Sequence, residues 1–180
     1  AVRPSAAEPG HDDDLCIGDG PADATALWDG LLSRGYRLWG IANDDSHTPP
    51  GSKVAYPFTA FDMVRTADPS AEGFLAALHA GSFYGSTGLF FRDLGARGDS
   101  VVAWAPGAEE LRFIGWGGQV LLQTSAERAA YVCTGTEGYV RVEATGKPDP
   151  NHGWPWQAWS QPFYIEGAPC SAQPAGEREG

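Results

Sequence analysis

The sequence of 180 residues predicts an α/β segment over residues 23–94, followed by a small antiparallel β-rich module over residues 95–166. Two observations lead to this fold class. Up to about residue 90, helical apolar periods alternate with short apolar runs that end in polar loops. Beyond residue 90, short β-prone runs recur with turn signals between them and no helical period. A chain of this length with 42% hydrophobic residues can bury a real core.

The two ends of the chain differ in composition from the rest. Residues 1–22 are rich in Pro, Gly, Ala and Asp with no apolar period, which predicts an extended loop or linker. Within it, His11 and the acidic residues 12–14 are all possible metal ligands. Neighbours in an extended chain point in opposite directions, however, so a solvated acidic loop is the preferred interpretation. Residues 167–180 are expected to form a flexible tail.

The first predicted αβ unit begins at Asp23, a candidate N-cap. Leu27 and Leu31 share one helical face, with Trp28 and Leu32 beside it, and Gly35 is placed to end the helix in a left-handed conformation. The run YRLWGIA, residues 36–42, is nearly continuous in apolar residues. That pattern is typical of a strand covered on both faces.

The second predicted unit follows the same order. Residues 58–66 alternate partly as a strand does, and a helix then opens with Ser70 as its N-cap. Gly81 is expected to stop this helix, and a strand over residues 83–89 follows. The predicted buried face of the helix consists of Phe74, Leu75 and Leu78.

Polar side chains follow the predicted strand 36–42 directly. Asp45 and His47 lie two positions apart, so both side chains project to the same side if the backbone stays extended. In parallel α/β folds, ligands collect at the carboxyl ends of strands, and a carboxylate beside an imidazole suits a divalent metal. The alternative is an Asx-type turn, in which Asp44 or Asp45 caps backbone amides and His47 packs on Trp39.

The predicted β-rich module is unusually aromatic. Five of the 7 tryptophans lie in it: Trp104, Trp116, Trp154, Trp156 and Trp159. The stretch HGWPWQAW offers a possible stacking platform for a carbohydrate or a surface for a partner protein. The preferred interpretation is that these side chains build the core of the module, as large aromatics commonly do.

Composition excludes some classes of function. The chain has 12 Lys+Arg against 23 Asp+Glu, a formal net charge of -11, and no basic cluster of the kind that binds nucleic acid in bulk. No window approaches the roughly 18 uninterrupted apolar residues of a membrane helix, so we expect a soluble protein. Cys16, Cys133 and Cys170 form no CxxC pair, which leaves one disulfide plus a thiol or three reduced cysteines, and leaves the compartment open.

Several stretches of the chain form a recognisable series between about residues 24 and 166. They are ALWDGLLSRGYRLWGIANDDSHT, FDMVRTADPSAEGFLAALHAGSFYGSTG, YVRVEA and AWSQPFYIE. In this order they resemble the C-terminal portion of PHP-domain proteins, the polymerase-and-histidinol-phosphatase superfamily. The resemblance implies a distorted (β/α)7 barrel whose strand ends hold two or three divalent metals for the hydrolysis of phosphoesters.

The resemblance also implies particular residues. The last metal motif of the family, Asp-x-His, falls on Asp45 and His47, which it makes metal ligands for Zn, Mn, Mg or Fe. The opening H-x-H of the family and its further His and Glu ligands have no counterpart in this sequence. The chain is therefore expected to be a C-terminal fragment that is inactive alone and needs the N-terminal barrel half for ligands and for a phosphorylated small-molecule substrate. The second hypothesis is a non-catalytic carbohydrate- or protein-binding β-module.

Overall fold

The computed structural model describes residues 24–44, 59–151 and 153–165, together with the backbone of 172–173. It contains the helices α1 (Thr25–Ser33) and α2 (Ala71–His79). The strands, in chain order, are β1 (Phe61–Val64), β2 (Phe83–Ser86), β3 (Asp93–Arg97), β4 (Ser100–Trp104), β5 (Ala108–Gly115), β6 (Gln119–Thr124), β7 (Arg128–Val132), β8 (Tyr139–Pro148), β9 (Pro155–Ser160), β10 (Phe163–Ile165) and β11 (Ala172–Gln173). None of the described helices is long and apolar enough to cross a membrane.

The strands form two sheets. The larger has the order β1-β2-β9-β8-β10-β11, and β5 pairs with both β8 and β6. The smaller has the order β3-β4-β7. Every pairing among the described strands is antiparallel.

The main core contains side chains from both sheets. Val101 and Ala103 of β4 contribute to it from the smaller sheet, and Phe113 of β5 with Val140 and Val142 of β8 from the larger one. All five are at most 1% exposed. Alternate positions of β4 and β8 supply these residues, which is the pattern expected of strands that present one face to a core.

The predicted fold class, a C-terminal part of a (β/α)7 barrel, is wrong. A barrel of that kind requires parallel neighbours joined by crossover helices. Instead β1 and β2, which flank α2, pair antiparallel with each other, and β2 also pairs antiparallel with β9. The sheet predicted only beyond residue 95 therefore extends back to Phe61. The described chain is a β-rich fold with two helices.

The expected buried strand over residues 36–42 is also wrong. No described residue in this range belongs to a strand, and Tyr36, Leu38 and Ile41 are 56%, 38% and 75% exposed. An apolar run of this kind usually indicates a strand that is covered on both faces. The described structure covers one side of this segment only.

The helix predictions are partly confirmed. Ser70 caps α2, because its Oγ accepts a hydrogen bond from the backbone N–H of Gly73 at 3.1 Å. The predicted buried face of α2 is wrong, since Phe74 and Leu75 are 45% and 55% exposed while Ala77 is buried. In α1 the inward side is formed by Leu32, with Trp28 packed beside it, whereas Leu27 is 68% exposed; the proposed N-cap Asp23 lies outside the described residues.

Candidate functional site

The predicted metal ligands Asp45 and His47 lie outside the described residues, as do His11 and the acidic run after it. The structure does describe the segment that ends immediately before Asp45. We call residues 36–44 the approach segment. Its contacts determine how firmly the chain entering the Asp-x-His motif is held.

Gln161 holds the middle of the approach segment with two hydrogen bonds. The backbone N–H of Gly40 donates to Oε1 of Gln161 at 2.8 Å, and Nε2 of Gln161 donates to the carbonyl of Gly40 at 2.7 Å. Gln161 follows β9 and is only 6% exposed. Its amide thus replaces the two backbone groups that a neighbouring strand would otherwise offer.

Asp62 of β1 holds the segment further along. Its Oδ1 accepts a hydrogen bond from the backbone N–H of Ala42 at 3.0 Å. Burial raises the pKa of Asp62, and the bond from Ala42 only partly offsets that rise. Ala42 also packs closely on β2, where a Cβ added to Gly85 would lie 2.9 Å from the Ala42 Cβ.

Two tryptophans complete the attachment. The indole N–H of Trp28 donates to the carbonyl of Leu38 at 3.2 Å, and that of Trp39 donates to the carbonyl of His79 at 3.1 Å. The rings lie directly over glycines, since a Cβ on Gly40 would come within 2.8 Å of the Trp28 ring and one on Gly81 within 2.9 Å of the Trp39 ring. The approach segment is therefore fixed to α1, to the end of α2 and to the large sheet.

Within 24–44, 59–151 and 153–165, no three His, Cys, Asp or Glu side chains lie together in a group that could hold a metal ion. One carboxylate and one imidazole, as in Asp45 and His47, are suitable donors for a divalent ion. They are fewer than the three protein ligands typical of hydrolytic metal sites.

A buried ionic cluster joins α1 to β8. The Arg141 side chain is 2% exposed; its Nη2 lies 2.5 Å from Oδ2 of Asp29, and its Nη1 lies 2.5 Å from Oε1 of Glu143. Its Nε also donates to Oδ1 of Asp29 at 2.7 Å, and the Tyr139 hydroxyl donates to the same oxygen at 2.7 Å. The Trp28 ring covers the guanidinium, with 5.3 Å between Cζ and the ring centroid.

The protonation states of this cluster follow from its geometry. Burial acts to lower the pKa of Arg141, but the bonds to Asp29 and Glu143 outweigh it and raise the pKa above its ordinary value. Burial, together with the adjacent Asp29 carboxylate, raises the pKa of Tyr139 to about 12. The contacts of Asp29 with Tyr139 and Arg141 attach α1 to β8.

Sequence reasoning missed this cluster, although a signal was present. In β8 the residues Tyr139, Arg141 and Glu143 alternate with Val140 and Val142. Alternation of this kind usually indicates one buried and one solvated face. Here α1, which directs the carboxylate of Asp29 inward, covers the polar face of β8. Both faces of β8 are therefore buried.

An open groove of about 650 Å³ lies between the two sheets. It is bounded by the end of β1 and the start of β2 on one side and by β3 on the other, with residues 161–163 also lining it. Trp39 of the approach segment contributes to the lining. The groove was not predicted, because it depends on how the two sheets separate at one end.

The tryptophan-rich stretch does not form a flat platform. Trp156 and Trp159 lie three residues apart in β9, so they project to opposite faces of the strand. Trp156 packs against the main core and covers Gly88, while Trp154 is 39% exposed. Trp154, Trp156 and Trp159 therefore do not form the row of stacking surfaces that carbohydrate binding would need.

Comparison with known proteins gave no matching family model, no matching curated protein and no matching solved structure.

Proposed function

We propose that this chain is a C-terminal portion of a metal-dependent phosphoesterase that is similar to PHP proteins in its Asp-x-His motif but not in its fold, and in which Asp45 and His47 bind a divalent metal ion. A bound divalent ion supplies charge stabilisation for the phosphoryl group under attack. In this proposal, the β-rich fold positions the Asp-x-His motif. The substrate class is a phosphorylated small molecule, and the remaining ligands come from outside the chain.

The observation that carries the proposal is the attachment of the approach segment. A pair of metal ligands must keep a fixed geometry, because a small displacement of first ligands costs affinity. Gln161, Asp62 and the two tryptophans hold residues 38–42 by backbone contacts that do not depend on a sheet ladder. The chain therefore enters the motif from a fixed position, at Ala42, three residues before Asp45.

A second observation agrees with ligands supplied from elsewhere. Six of the twelve exposed large apolar side chains among the described residues lie on α1, the approach segment and α2: Leu27, Tyr36, Leu38, Ile41, Phe74 and Leu75. Exposed apolar side chains of this kind are available for contact with another body. The proposal assigns these side chains to contact with the ligand-bearing remainder of the phosphoesterase.

The carbohydrate-binding alternative receives less support. Stacking of a sugar chain needs several aromatic faces directed the same way, and Trp156 and Trp159 are on opposite faces of β9. Trp116 and Trp154 are 58% and 39% exposed. Scattered single exposed aromatics are ordinary on protein surfaces.

Calorimetric titration of the chain with MnCl₂ tests the ligand assignment. We expect weak binding, because two protein ligands leave the ion mostly hydrated, and a loss of affinity of about tenfold or more in Asp45→Asn and in His47→Ala. The matched control is Asp44→Asn, which removes the adjacent carboxylate and should leave the affinity unchanged. An affinity for Mn²⁺ that is unchanged in both Asp45→Asn and His47→Ala would exclude the pair as ligands.

A further inference from the structure

We propose that the groove between β1–β2 and β3 binds a small organic anion, with a phosphate or carboxylate head group and an aromatic or apolar body. This site does not involve Asp45 or His47, and the inference does not rest on the proposed metal chemistry. It follows from the charge of the groove, the ring-bearing side chains that line it and the direction of the side chains of β3.

The charge of the groove is opposite to that of the whole chain. The sequence carries 12 Lys+Arg and a net charge of -11, yet Arg65, Arg92 and Arg97 all line this groove. The only carboxylate among the described lining residues is Asp93, whose Oδ1 lies 2.5 Å from Arg97 Nη2 and whose Oδ2 lies 3.7 Å from Arg128 Nη2. Neither Arg65 nor Arg92 has an ion-pair partner within the described part of the chain.

Arg65 and Arg92 lie on opposite walls of the groove. The backbone N–H of Arg65 donates to the carbonyl of Ser82 at 2.8 Å, which fixes its stem to the wall formed by β1 and β2. The backbone N–H of Arg92 donates to the carbonyl of Trp104 at 2.7 Å, which fixes its stem beside β3. Planar guanidinium forks suit phosphate and carboxylate, so the proposal places the anionic head group between these two walls.

Rings line the space beside these charges. Tyr84 and Phe91 form an edge-to-face pair with 5.2 Å between ring centroids, and Trp39 and Phe163 also face the groove. Small-molecule sites are mostly apolar with a few polar groups that fix orientation. The combination selects a ligand with a ring or alkyl body over an inorganic anion.

The orientation of β3 identifies a residue, Ala96, at which a larger side chain would fill the groove. Ala96 pairs with Val101 of β4, which is fully buried, so the two side chains point to the same, inward face. Ala96 nevertheless stays half-buried, because the groove opens in front of it. Ala130 of β7 belongs to the same sheet, is exposed and is not among the described residues that line the groove.

Titration of the ¹⁵N-labelled chain, followed by NMR at the indole N–H of Trp39, tests the site with three probes. Phenyl phosphate and phenylacetate compare the two head groups, and benzyl alcohol is the neutral control. We expect saturable shifts with one or both anions and none with benzyl alcohol. Arg65→Gln combined with Arg92→Gln should weaken binding at least tenfold, whereas Arg34→Gln, at an exposed arginine after α1, should not.

Ala96→Leu tests the location of binding without altering any charge. It should abolish the Trp39 shifts, while Ala130→Leu, the same substitution outside the groove, should leave them intact. A thermal unfolding midpoint close to that of the wild type shows that each variant is folded. Absence of saturable binding, equal response to benzyl alcohol, or binding that survives both the double arginine variant and Ala96→Leu would overturn the inference.

Discussion

At the scale of single residues, the most consequential group in the described chain is the guanidinium of Arg141. It is buried, and its charge is balanced by Asp29 and Glu143, so the cluster is stable only while its partners are in place. Buried ion pairs behave asymmetrically, because removing one partner leaves the desolvation cost of the other uncompensated.

Asp29→Ala should therefore lower the free energy of unfolding by about 3 kcal/mol. The substitution removes two hydrogen bonds from Arg141 and one from Tyr139. Chemical denaturation gives the value, with Glu109→Ala at an exposed position of β5 as the control, expected within about 0.5 kcal/mol of the wild type. A loss below about 1 kcal/mol in Asp29→Ala would contradict the role given to the cluster.

Glu137 makes stability depend on pH. Burial acts to raise its pKa, but hydrogen bonds from the Thr134 amide and hydroxyl and from the Tyr131 hydroxyl outweigh it and lower the pKa to about 2. A carboxyl with a depressed folded pKa contributes stability above its ordinary value of 4.5, and this contribution is lost as the pH falls from 4.5 towards 2.

Unfolding measured at pH 6 and at pH 3 should therefore show a smaller loss of stability in Glu137→Gln than in the wild type. Glutamine keeps an acceptor oxygen for Thr134 but has no titrating group in this range. The same loss of stability in both proteins would mean that the Glu137 carboxylate is not the group responsible.

At the scale of elements, the approach segment shows what sequence patterns can and cannot predict. The helix before it, the glycine turn at Gly35 and the cap at Ser70 were predictable, because local backbone chemistry determines them. The segment itself was predicted as a strand because Leu38, Trp39 and Ile41 are apolar. Its backbone instead bonds to Gln161 and Asp62, which are distant in sequence and carry no local signal.

Gln161→Ala should release the approach segment. It leaves the N–H and the carbonyl of Gly40 without partners, at a cost of about 1–3 kcal/mol. Hydrogen exchange at the Gly40 amide should accelerate about tenfold or more, while amides of the main core change little. Gln123→Ala, which removes an exposed bond to Glu110, is the matched control; an unchanged Gly40 rate in Gln161→Ala would show that the segment is held by other contacts.

At the scale of the whole molecule, the sequence predicts the β-rich character beyond residue 95, where strand-length runs alternate with turns. The order of strands in the sheets could not be predicted from the sequence, since it depends on pairings between distant strands such as β2 with β9. The helical stretches before residue 95 favoured a parallel barrel for the same reason: helix and strand periods indicate elements but not the direction in which they pair. The groove and the Arg141 cluster both arise from that unpredicted arrangement.

The central claim is that Asp45 and His47 act within a larger metal-dependent phosphoesterase. Hydrolysis of p-nitrophenyl phosphate with added Mn²⁺, compared between this chain and a longer protein that contains it, tests this claim most directly. We predict no turnover by the chain alone, turnover by the longer protein, and a loss of at least about 100-fold in kcat/KM on Asp45→Ala, equivalent to about 2.7 kcal/mol, with Asp44→Asn close to wild type. Turnover in the longer protein that is unchanged by Asp45→Ala, or metal-dependent turnover by this chain alone, would contradict the account.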